Sequence, residues 1–160
     1  MLVSQRDDHK RNFSRTSDLA DALSTVIPVN GNLSNHGPSL LRFYAAESGL
    51  KYLLNRYERV PFSYEILDNG VPADATPKYP KVESYSHDLG QMLRKLKVSA
   101  ASVQHPAGPF RTINGYKGGQ DFKINGAHEA WRYGLETDPA HQADLERFLT
   151  SIIAYVKGEI

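Results

Sequence analysis

The chain has 160 residues, 40% hydrophobic and 23% charged, the size and balance of one globular domain. The absence of cysteine excludes a disulfide framework, Cys-based zinc sites and thiol nucleophiles. Nineteen basic against eighteen acidic residues give a net charge of +1, too even for bulk attraction to nucleic acid. No stretch approaches the roughly 18 to 20 apolar residues of a membrane span.

In chain order, residues 1–15 are charged where a leader needs an apolar run, so they read as a polar tail before a single domain over 16–160 of a cytoplasmic protein. Leu19, Ala22, Leu23 and Val26 then mark a first helix, capped by Thr16 or Ser17 and ended by Pro28. The longest periodic segment runs from Pro38 to Glu58, where Phe43, Ala46, Leu50, Leu53 and Tyr57 recur at helical steps until Pro61. Leu41, Tyr44 and Tyr52 fall outside that stripe and point to a second helix surface or a subunit contact. The proline-rich span Val60 to Tyr85 predicts an extended or turning connection.

Ser86 reads as the N-cap of a short helix whose apolar side is Leu89, Met92, Leu93 and Leu96 and whose other side carries His87, Gln91 and Arg94. Val98 to Gly126, with Asn114-Gly115 and Asn125-Gly126, suits a small hairpin. Ala127 to Tyr133 adds a helical turn. Asp138 and Pro139 then open a last helix, whose stripe is Leu145, Phe148, Leu149, Ile152, Ile153 and Val156. The fold class predicted is all-α: an up-and-down bundle of four to five helices with a long loop or small hairpin before the last one.

Phosphate-loop, nucleophile-elbow and His-Glu-x-x-His motifs are absent, and the six histidines never fall four apart on one helix, so neither a metal site nor a cofactor is expected. Glu47 lies inside the apolar arc of its helix and needs a partner, either Lys51 four residues on or a group on another helix. His87, with Gln91, Arg94 and Lys95, forms either a cluster able to hold a phosphate or base, or an ordinary solvated face. Trp131-Arg132-Tyr133 places an arginine between aromatics, free to stack on a base or to pair with a carboxylate such as Glu47. His141 lies in the apolar arc of the last helix and reads as a core or boundary histidine.

The succession Ala45-Ala46-Glu47-Ser48-Gly49-Leu50-Lys51-Tyr52-Leu53-Leu54, Ser86-His87-Asp88-Leu89, Arg132-Tyr133 and Ile153-Ala154-Tyr155-Val156-Lys157 resembles HEPN-domain proteins over Pro38 to Lys157. The resemblance implies a helical bundle that dimerises and binds RNA or nucleotides, or partners a nucleotidyltransferase or defence-system protein in toxin-antitoxin and phage-defence settings. Catalytic members carry an Arg followed, after four to six intervening residues, by a His. Here only Lys81 to His87 and Lys123 to His128 have that spacing, and Gly134 stands where a Pro often follows Arg-Tyr. The expectation is therefore a binding protein for RNA, nucleotide or a protein partner, with Glu47, His87, Gln91, Arg94, Lys95, Arg132 and Tyr133 as its site. The alternatives are a metal-independent endoribonuclease using His87 or His128, and a purely protein-protein module.

Overall fold

The structure, a computed structural model, describes residues 4–27 and 35–160. Among them α1 spans Arg6–Val26, α2 His36–Glu58, α3 Ser63–Asn69, α4 Leu89–Lys95, α5 Ala127–Arg132 and α6 Pro139–Glu159. Two short strands, β1 (Phe110–Arg111) and β2 (Asp121–Phe122), pair antiparallel with Phe110 opposite Phe122. The protein is an all-α bundle, and α2 is its axis, packing against α1, α4, α5 and α6. None of the described helices is long and apolar enough to cross a membrane.

The axial position of α2 follows from its sequence. Its apolar and small residues face all round, and Phe43, Ala45, Ala46, Leu50, Leu53 and Leu54 are fully buried. Arg59 in the left-handed region (φ 55°) ends the helix, and the Val60 N–H closes it on the Leu54 carbonyl at 3.2 Å. Gly49 is where α1 and α6 come closest, since a Cβ there would sit 2.7 Å from Val156 and 2.9 Å from Phe13. The stripe of α6 is buried as predicted, and the Asp138 carboxylate caps it, accepting from the Ala140 and His141 N–H groups. Leu50→Ala and Ile152→Ala, both in the core, are each expected to cost about 2 to 5 kcal/mol in urea denaturation, whereas a loss below about 1 would place that residue outside the core.

Three expectations are corrected. The first helix starts at Arg6 rather than after Thr16 or Ser17, so the tail assigned to 1–15 is helical from residue 6 onward. Phe13, Ser17 and Ala20 are its buried side, and the Asp8 carboxylate accepts the Gln5 N–H at 2.9 Å at its start. Pro28, expected to end it, lies outside the described residues, as do residues 1–3 of the tail. Next, the connection 60–85 is not wholly extended. Glu65 caps α3 by accepting the Phe62 N–H at 2.7 Å, and Val82–Tyr85 forms a 3₁₀ turn. Lastly, Ser86 does not cap α4. That turn runs into Ser86 (φ 49°), and Asp88 is the cap, accepting the Gln91 N–H at 3.0 Å.

Tyr52, read from the sequence as surplus to the core, is buried, with the Lys10 ammonium of α1 5.7 Å from its ring centre. A polar network fixes the other end of α2. Glu146 accepts from Ser39 and, at 3.1 Å, from Arg42, while Gln142 donates to Ser39 and accepts the Trp131 indole N–H at 2.9 Å. This network holds α5 against α2 and α6. Gly134 follows α5 at φ +69°, and Leu135 donates back to the Ala130 carbonyl at 2.8 Å. A proline, locked near −65°, could not take that place.

Candidate functional site

Glu47 has both partners that the sequence left as alternatives. Its Oε1 receives the Lys51 ammonium at 2.5 Å, and its Oε2 lies 2.8 Å from Nδ1 of His87. The Glu47 and Lys51 side chains are only 12% and 11% exposed, so the pair works in a poorly solvated seam. An ionised carboxylate only accepts, so His87 donates through Nδ1, and its Nε2 carries no hydrogen bond among the described residues. His87 reaches Glu47 because the turn at Ser86 sets it before α4, on the side facing α2.

His128 comes from α5, where it is held 3% exposed with its ring centre 4.2 Å from that of His87 and 4.9 Å from that of Phe43. Its Nδ1 is buried without a hydrogen-bond partner, and Thr137 Oγ1 is the other such side-chain atom among the described residues. Burial pushes the His128 pKa below its ordinary value, and the Arg132 guanidinium adds to that, so the ring is neutral near pH 7.

A groove of about 610 Å³ opens beside the cluster between α1 and α2, lined by Tyr44, Glu47 and Ser48 on one wall and His9, Asn12 and Arg15 on the other. Asn12 donates to Ser48 at 2.7 Å. His9 stacks on Phe62 with ring centres 5.1 Å apart, and burial, followed by the Lys51 charge, holds its pKa down. Reading 1–15 as a tail hides His9 and Asn12. The spacing Phe13, Ser17, Ala20 was the signal that could have extended the helix to them.

Of the residues expected to converge, Glu47 and His87 meet. Arg132 stands beside them without touching Glu47, its guanidinium donating to the Tyr44 hydroxyl at 2.7 Å. The others lie apart. Arg94 donates to Gln91 at 3.3 Å on a different face, Lys95 borders a crevice with Glu58 and Tyr79, and Tyr133 is 71% exposed. His141 is the boundary histidine expected, accepting the Arg111 N–H at 2.9 Å. No three His, Asp or Glu side chains among the described residues are grouped to hold a metal ion. Comparisons with protein-family models, curated proteins and solved structures find no match to the chain.

The buried His128 and the partly buried His9, together with His105, set a pH dependence of stability. All three have folded-state pKa values below the ordinary 6.5, so below that pH the unfolded chain binds more protons than the folded one. Their contribution is fully present above the ordinary value and is lost as the pH falls below it toward the lowered value. The urea midpoint is therefore expected to be lower at pH 5.5 than at pH 7.5. His128→Leu should reduce that difference, and an equal slope in this variant would assign the effect elsewhere.

Proposed function

We propose that the chain is a HEPN-like RNA-binding protein that grips a phosphodiester at the Glu47–His87–His128 cluster and the groove beside it. The observation that supports this most is the unpartnered, buried Nδ1 of His128 against a His87 whose Nε2 is free while its Nδ1 is held by Glu47. Arg15 on the groove wall and Arg132 beside Tyr44 supply charge for the backbone phosphates. Fluorescence anisotropy with single-stranded RNA should give a binding constant whose logarithm falls linearly with the logarithm of salt concentration, and Arg15→Ala with Arg132→Ala should reduce the slope. Salt-independent or absent binding in the folded protein would leave the protein-protein reading standing.

A second reading, metal-independent endoribonuclease, is favoured by the Glu47–His87 hydrogen bond in particular. A carboxylate-oriented imidazole can take the 2′-hydroxyl proton through Nε2 while that oxygen attacks the adjacent phosphorus and the bond to the 5′-oxygen breaks, that oxygen taking a proton from water. Cleavage of labelled RNA in a chelator, yielding 2′,3′-cyclic phosphate ends and falling by about 10² to 10⁴ in His87→Ala, would establish it. Uncut RNA that is still bound would confine the site to binding. The resemblance also implies a homodimer, although the cover of Tyr52 by α1 removes one sequence ground for it. Light scattering at tens of micromolar decides between that and the 17.9 kDa monomer.

A further inference from the structure

We propose that the cleft between α4 and the β1–β2 hairpin is a second binding site, for a small dianion carried on an apolar ring, the chemistry of an aryl phosphate. The cleft encloses about 410 Å³, within the range of small-molecule sites, and shares no lining residue with the α1–α2 groove. Arg94 and Lys123 line it from α4 and from the hairpin side, and neither is ion-paired among the described residues. Arg94 spends only its Nε, on Gln91 Oε1, which leaves its terminal nitrogens free for a bidentate contact.

Position 90 shows how closely the polar groups converge. A Cβ there would lie 3.7 Å from His105 Cε1 and 3.9 Å from an Arg94 terminal nitrogen, so the absence of a side chain at Gly90 keeps the space between them open. Asp88 Oδ1 is the nearest carboxylate oxygen, 3.6 Å from the same point, but it is occupied by the Gln91 N–H and is not part of the cleft lining. His105 packs on Phe148 with ring centres 5.1 Å apart, which fixes the imidazole at the rim. Burial and the Arg94 charge hold its pKa down, so at neutral pH it offers a hydrogen bond without adding a third charge. Pro109 and Ile124 complete the wall with apolar surface, which an inorganic anion would leave unused and a ring would cover.

Titrating the full chain with phenyl phosphate, followed by amide chemical shifts, tests this. Inorganic phosphate and benzyl alcohol serve as the arms carrying only the charge or only the ring. Saturable shifts at Gly90, Arg94 and Asn125 are expected, with inorganic phosphate at least about tenfold weaker and benzyl alcohol without effect. Arg94→Ala combined with Lys123→Ala should weaken binding at least about tenfold with an unchanged melting temperature, and Lys123→Glu alone should do the same if the pair lowers stability. The proposal is overturned by any of four results. These are no saturation up to tens of millimolar, shifts centred on Arg15 instead, inorganic phosphate binding as tightly as the aryl ester, or full affinity in the charge-reversed variant.

Discussion

Glu47→Ala is expected to destabilise the protein by about 3 to 5 kcal/mol, several times the few tenths of a kcal/mol of an exposed helical pair at the same spacing. The difference comes from burial. Lys51 is buried and Glu47 is its only carboxylate partner among the described residues, so truncation leaves an ammonium in the seam with its lost hydration uncompensated, and releases His87 as well. Urea denaturation at neutral pH measures the loss. Glu47→Leu with Lys51→Met, which removes both charges and restores packing, should recover most of it. A cost below about 1 kcal/mol for Glu47→Ala would mean that Lys51 swings its ammonium into solvent and that the pair serves the site without holding the fold.

Phe43→Ala is expected to cost about 3 to 5 kcal/mol, because the ring is fully buried on the axial helix and its removal opens a cavity that rigid neighbours cannot fill. The lost volume is also the surface against which the site is built, with the His128 ring centre at 4.9 Å and that of His87 at 6.3 Å. Phe43→Leu separates the two consequences. Its stability loss should stay near 1 kcal/mol, while the imidazole NMR signals of His87 and His128 shift and RNA affinity falls. Unchanged imidazole signals in Phe43→Leu would show that the histidines are placed by Glu47 and α5 without the aromatic wall.

Much of the fold was legible because helical period and burial coincide in α6, while in α2, buried nearly all round, the period marked the helix but set Tyr52 outside the stripe and the half-exposed Tyr57 in it. Their stripes continue over five or more turns, and the capping signals at Asp138 and Pro61 coincide with real ends. The hairpin was legible from Asn114-Gly115, which lies between the strands that pair Phe110 with Phe122. α1 was legible as a helix only in its second half, and its stripe was not, since Leu19 and Val26 are half exposed while Phe13, Ser17 and Ala20 face the core. Its first half buries little beyond Phe13 and gains its place from the surface of α2, which local sequence does not contain.

The sequence alone determined that Glu47 points into a seam, since the phase of a residue on a helix is a local property. Whether Lys51, His87 or Arg132 would meet it depends on the azimuth and height at which other elements dock, and only packing sets those. A single turn at Ser86 moves His87 off the outer face of α4, where Gln91 and Arg94 stay, and onto Glu47. In the same way His128, an unremarkable residue in a short helix, becomes a buried, neutral imidazole because the Trp131–Gln142–Ser39 network presses α5 onto Phe43. Composition and period fix what a side chain can do, while the low-dielectric contact that gives it a partner and a shifted pKa exists only once distant segments have packed.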